Sequence, residues 1–154
     1  MKRGLFTILF LSLMLFTSTA QERDLYIEII SKKDTLAKDE IFTVVASIMN
    51  VTQKEQRICS WSCSYDENWQ LKDSSEKFQL YRPNCEKNIV SCVTLQPFQR
   101  CEKELYLQVG SMAKKGKASF RLGFIPCVSR EECFETAKEN QKIFWSQEVT
   151  VKIK

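Results

Sequence analysis

From Leu25 onward, apolar and polar positions alternate in short runs, the period-two signature of half-buried strands. LYIEII (25–30) places Leu25, Ile27 and Ile29 on one face, and IFTVVASIMNV (41–51) reads as a longer, largely buried strand. QRICSWSCSY (56–65) is a third run, FQLY (78–81) a short fourth and NIVSCVTL (88–95) a fifth. In CEKELYLQVG (101–110) Leu105 and Leu107 alternate with charge, and KASFRLGFI (117–125) alternates Ala118, Phe120, Leu122 and Phe124. IFWSQEVTVKI (143–153) sets Trp145, Gln147, Val149, Val151 and Ile153 on one face. With polar turns between the runs, the pattern predicts a single antiparallel Ig-like β-sandwich of about seven strands. One segment breaks the rhythm. SREECFETAKENQ (129–141) opens with Ser-x-x-Glu, a capping box, and predicts a short helix or ordered insert before the last strand, its base pinned by Cys127 and Cys133.

The first twenty residues stand apart from this pattern. A basic start (MKRG), a 12-residue apolar run (LFTILFLSLMLF) and small residues (TSTA) form a secretory signal, with cleavage expected after Ala20. The run is too short to span a bilayer comfortably, and no second stretch of spanning length follows. The mature domain is therefore expected to cover residues 21–154, that is 154 − 20 = 134 residues, in the periplasm, the cell envelope or the medium. Losing Lys2 and Arg3 lowers the net charge from +4 to +2, which gives no case for nucleic acid. The densest basic stretch, KKGK (114–117), reads as a solvated hairpin turn.

Candidate chemistry is thin. The chain has no histidine, which removes Ser-His-Asp and Cys-His catalysis and every histidine-bearing zinc site. It has no Gly-rich phosphate loop, so no enzyme activity, metal or cofactor is expected. Asp66, Glu67 and Asn68, with Asp73 and Glu76 nearby, lack the alternate spacing and glycine of a calcium loop and read as polar turns. All seven cysteines follow the signal, so exported thiols should pair, leaving one over. The densest tract is ICSWSCSYDENW (58–69). If it is extended, four residues span about 13 Å, beyond the ~7 Å that a disulfide bridges, so Cys59 and Cys63 each reach a different segment.

The motifs SCSYDENW, PNCEKN, VTLQPFQ, FRLGFI and FWSQEV resemble a family of small exported proteins, mostly from Bacteroidetes-type bacteria, for which no activity is established. The match covers most of residues 25–153, with a Cys-aromatic-Asp-x-Asn-aromatic box, a later Cys-x-x-Asn and a Leu-x-Pro as its core elements. The resemblance implies an Ig-like sandwich in the envelope, and it implies that Cys63 and Cys85 are partners. Of the other cysteines, Cys127 with Cys133 would close the insert and Cys92 with Cys101 would leave Cys59 as the free thiol. Cys59 bonded to Cys101 or to Cys92 is nearly as well supported. Each native bridge in such a domain contributes roughly 2–5 kcal/mol, so stapling alone accounts for the cysteines.

The functional expectation is a non-enzymatic binding domain whose partner is a protein or a glycan. Its expected contact is the tail of the cysteine tract, Asp66, Glu67, Asn68 and Trp69, with Tyr81 and Arg82 a weaker second. Trp61 and Trp145 are expected in the core, and Asn50-Val51-Thr52 is a glycosylation triplet. A rival from another class is a secreted protease inhibitor presenting residues 64–76 or 126–142 as a rigid loop. A third reading is redox activity through the unpaired cysteine.

Overall fold

The computed structural model describes residues 24–134 and 142–154; the signal segment and part of the insert lie outside the described residues. Period-two burial translates into two sheets facing one another. The first has the order β1 (Leu25–Ser31), β3 (Ile41–Asn50), β8 (Arg100–Val109) and β6 (Phe78–Leu80), all antiparallel. The second is built on β9 (Gly116–Phe124), with β5 (Trp69–Lys72) pairing along one edge. Along the other run β10 (Phe144–Trp145) and β11 (Val149–Ile153). The two-residue β2 (Thr35–Leu36) adds to β11 in parallel, the one departure from antiparallel pairing among the described strands. A separate ribbon pairs β4 (Gln56–Trp61) with β7 (Val90–Leu95). The architecture is thus an all-β sandwich, with eleven described strands, several of them only two or three residues long.

Apolar faces meet where the alternation requires. Leu25, Ile27 and Ile29 of β1, Val44 and Ile48 of β3, and Leu105, Leu107 and Val109 of β8 are buried against Ala118, Phe120, Leu122 and Phe124 of β9. Phe42, Phe78 and Phe120 tie the sheets together, with ring centroids 5.0–6.0 Å apart, a spacing that favours edge-to-face aromatic contact.

One expectation fails here for a defined reason. Trp145 does not share a face with Val149, Val151 and Ile153. Trp145 pairs with Gly123 and Val149 with Phe120, so four steps on one strand oppose three on the other. The extra residue is a β-bulge, and one added residue reverses which face every earlier side chain takes. Val151 and Ile153 point inward, whereas Trp145 points out. The bulge has its own hydrogen bonds: Leu122 N–H donates to Ser146 Oγ, and Ser146 N–H donates to the Leu122 carbonyl. It also presents Gln147 to the edge strand of the other sheet. There the Gln147 amide accepts from Ile29 N–H (3.3 Å) and donates to the Ile29 carbonyl (2.8 Å), occupying main-chain groups that an edge would leave open.

Candidate binding surface

The cysteine tract is built inward. Strand β4 ends at Trp61, and α1 (Tyr65–Asn68), a single turn, redirects the chain into β5. Cys59 lies directly opposite Cys92 in the ribbon, α-carbons 4.0 Å apart, and the two are bridged. The main-chain N–H and C=O of Cys59 are bonded instead to Cys127, at 2.7 and 3.3 Å. The Cys59–Cys92 pair therefore exchanges no ladder bonds, and such pairs bring side chains closest. The expected Cys92–Cys101 bridge and the free Cys59 are thus overturned, in favour of Cys59–Cys92. The free thiol is Cys101. The reason is topological: β7 joins the ribbon, whereas Cys101 lies in β8, opposite Ile48 of the first sheet. Burial pushes the Cys101 thiol above its ordinary value, and the nearby Lys103 charge only partly offsets this. A raised thiol pKa lowers the thiolate fraction at neutral pH, which disfavours nucleophilic chemistry at Cys101.

The remaining bridges join Cys63 to Cys85 and Cys127 to Cys133. The second lies at the base of α2 (Arg130–Phe134), where Ser129 Oγ accepts the Glu132 N–H and the Glu132 carboxylate accepts Val128 N–H. Trp61 packs edge-on against Phe134 at 4.8 Å and donates its indole N–H to the Cys133 carbonyl. Cys59, Val90, Cys127 and Cys133 make a small second core beneath it.

Two members of the expected contact turn out to be interior. Asn68 is 1% exposed. Its Oδ1 accepts Trp61 N–H at 2.8 Å, and its Nδ2 reaches the Ile125 carbonyl at 2.9 Å and Cys127 Sγ at 3.3 Å. Its main-chain carbonyl accepts Ile125 N–H, so one residue joins β4, α1 and the segment after β9. Trp69 is also 1% exposed, because pairing with Phe124 of β9 puts it on the inward face, ring centroids 4.8 Å apart. Its Nε1 has no hydrogen-bond partner among the described residues. Asp66 and Glu67 stay on the surface, Asp66 paired with Arg82. The stretch 64–76 is correspondingly little of a loop: α1 and β5 occupy residues 65–72. Asp73 closes what remains. Burial opposes its charge, but hydrogen bonds from Ser75, Lys77 and Phe78 outweigh that and hold its carboxyl below the usual range.

The other elements of the resemblance have similar internal duties. Asn88, of Cys-x-x-Asn, accepts the N–H groups of Cys63 (3.1 Å) and Ser64 (3.2 Å) and donates to Ser64 Oγ (2.6 Å), fixing the turn that leads into α1. Leu95 and Gln96, ahead of Pro97, offer their carbonyls to the fully buried Asn50, whose Nδ2 lies 2.7–3.2 Å from three carbonyls. Its Oδ1 accepts both the N–H and the hydroxyl of Thr52. The asparagine of the glycosylation triplet is therefore a buried turn-forming residue in the folded chain.

What does face solvent is assembled by register across the second sheet. Trp145 is 38% exposed, and its six-membered ring covers Gly123. A Cβ at position 123 would meet Trp145 Cε3 and Cζ3 at 2.9 Å and Ile143 Cγ2 at 2.6 Å, so only glycine admits this seat. Gln70 flanks Gly123 on the opposite edge. Two residues along, Lys72 faces Arg121, and the Lys72 ammonium stands 5.9 Å from the Trp145 ring centroid, within cation–π range. Ser119 and Thr150 follow, their hydroxyls 2.7 Å apart, then Lys117 beside Lys152. A cleft of about 190 Å³ between β1 and residues 142–145 adjoins the tryptophan. It is smaller than the ~300–1,000 Å³ of small-molecule sites.

No family model and no curated protein matches the chain. Solved structures are similar in shape. A mutant Salmonella alpha-2-macroglobulin aligns at a TM-score of 0.50 and 12% identity, over 85% of this chain and 7% of that one. Spo0M, a sporulation control protein from Bacillus subtilis, aligns at 0.49 and 9%, over 86% and 50%. The CARDB domain of a Pyrococcus furiosus protein aligns at 0.41 and 14%, over 84% and 92%. The chain thus spans half of Spo0M and a small fraction of the macroglobulin. At such identity the macroglobulin likeness is one of fold. Among the described residues no helix is long and apolar enough to cross a membrane.

Proposed function

We propose that this chain is an exported, disulfide-stapled binding domain that meets its partner through the outer face of the second sheet, with Trp145 as the anchor. The observation that carries the reading is an exposed tryptophan seated over a glycine that no other residue can replace without collision. Tryptophan is enriched at the energetic centres of interfaces, and a sheet presents it with little conformational freedom to lose on binding. Export is supported by the basic, apolar and small-residue order of residues 1–20 and by the three bridges, which persist in oxidising compartments. The resemblance of its motifs to those of exported Bacteroidetes-type proteins implies the envelope.

The test is a binding screen of the purified domain against immobilised proteins and polysaccharides, run beside Trp145→Ala. The expected result is at least one ligand that the variant loses while its melting temperature falls by no more than a few degrees. Ligands bound equally by both proteins would place the interface elsewhere and overturn the reading.

A further inference from the structure

We infer that the partner of this face is an acidic polysaccharide, a sugar polymer bearing carboxylate or sulfate groups; the inference rests on the binding reading above and names its ligand. Charge is the first reason. Strands β2, β5, β9, β10 and β11 contain no aspartate or glutamate, and the one acidic residue between β10 and β11 is Glu148, in the bulge. Lys72, Arg121, Lys117 and Lys152 are all exposed, and no ion pair occupies any of them among the described residues. The acids of the strands lie on the other sheet, at Glu28, Glu102 and Glu104, where Glu104 is paired with Lys32. The molecule is therefore polarised, with one face basic and the opposite one carrying the carboxylates.

Layout is the second reason. The cations are not gathered around a point, as a site for a small anion requires. They fall in alternate rows of the face, whose successive rows are two residues or about 7 Å apart along the strand, in the order Trp145–Gly123–Gln70, Arg121–Lys72, Thr150–Ser119 and Lys152–Lys117. This spreads aromatic, cationic, hydroxyl and again cationic groups along one extended track, which fits a repeating polymer laid on an open face. Electrostatic attraction would bring the polymer in and depend on salt.

The aromatic content decides which polymer. A nucleic acid strand is held by several rings that stack successive bases, and this track has one. An acidic peptide adds to a sheet at its edge through main-chain bonds, not across a face. A sugar ring presents axial C–H groups to a single indole, its hydroxyls to Ser119, Thr150 and Gln70, and its acidic substituents to Arg121 and the lysines.

The experiment uses the disulfide-intact mature chain and measures binding to immobilised polygalacturonate and chondroitin sulfate, with dextran, poly-deoxythymidine and poly-glutamate alongside. The inference expects binding to one or both acidic polysaccharides over all three comparison polymers, declining as salt rises. Trp145→Ala, Arg121→Glu and Lys72→Glu should each weaken it by about tenfold or more, equivalent to the loss of one good contact, whereas Lys32→Glu, on the opposite sheet, should not. Equal binding to poly-deoxythymidine or poly-glutamate would mean simple cation exchange and overturn the inference. So would acidic polysaccharide binding that survives Trp145→Ala. A neutral polysaccharide or a protein bound in a Trp145-dependent way would overturn the acidic ligand while leaving the binding surface standing. Absence of Trp145-dependent binding to every probe would overturn both.

Discussion

Two tracts of this molecule carry its tryptophans and most of its unusual side chains, and they serve opposite purposes. Residues 58–69 concentrate cysteine, tryptophan and carboxylates in one window, yet the structure turns Cys59, Asn68 and Trp69 into the interior. The outer face of the second sheet draws single residues from positions 70 to 152, and no window of sequence contains it. Density in a short stretch here marks the place where the chain must close on itself, and dispersion marks the face left free. Buried polar groups must be satisfied, and Asn68 does this with Trp61 of its own tract and with Ile125 beyond β9. A binding face has no such constraint, because strand register brings distant residues together.

The sharpest way to break this contrast is to truncate the same residue type in both tracts. Trp69→Ala should cost about 3–5 kcal/mol, the usual loss for a fully buried large aromatic, whereas Trp145→Ala should cost under about 1 kcal/mol, the range of surface changes. Denaturant midpoints of the two variants would measure the difference, and similar values would erase the distinction. Asn68→Ala comes next. It leaves the Trp61 N–H and the Ile125 carbonyl without their partner, at about 1–3 kcal/mol for each stranded group. The same titration should show a loss of at least about 2 kcal/mol.

Gly123→Ala tests the exposed tract itself. The added methyl displaces the Trp145 ring and Ile143, both able to move outward, so stability should fall by only about 1–2 kcal/mol. The tryptophan emission maximum should shift to the red as Trp145 enters water, and ligand binding should weaken with it. A variant with unchanged emission would show that Trp145 does not depend on this seat.

Asp73→Asn is expected to have the smallest effect, about 1 kcal/mol at neutral pH, because the group is partly exposed. The folded-state pKa of Asp73 is lowered, so its contribution is fully present above the unfolded value near 3.8 and is lost as pH falls through the lower folded value. Wild type and variant should therefore converge in stability as pH falls through that lower folded value, measured by thermal melts across pH.

Much of the fold was legible because its central strands keep strict alternation. Leu25, Ile27 and Ile29, Leu105 and Leu107, and Ala118, Phe120, Leu122 and Phe124 are buried as their spacing required. The two misplaced tryptophans share one physical origin, a local break in that alternation. The bulge at Ser146–Glu148 exposed Trp145, and the single turn α1 carried Trp69 into a strand that faces the core. Neither break has a glycine or proline to announce it. The Cys59–Cys92 bridge was one of several open pairings, since its 33-residue separation is set by which strands adjoin. The basic track was invisible for the same reason: Lys72, Arg121 and Lys152 become neighbours only through β9.

The burial of Asn50 has a consequence for how this chain can be made. A host that attaches glycans to Asn-x-Thr triplets works on polypeptide still emerging into its secretory lumen, before β3 has met the turn at Leu95–Gln96. A sugar fixed to Asn50 Nδ2 at that moment would later have to occupy the space held by the carbonyls of Lys54, Leu95 and Gln96. Closure and modification are thus mutually exclusive outcomes of a race. A yeast or mammalian line should therefore divide the product between folded, unmodified molecules and modified ones that cannot close, whereas a host without this modification avoids the second population.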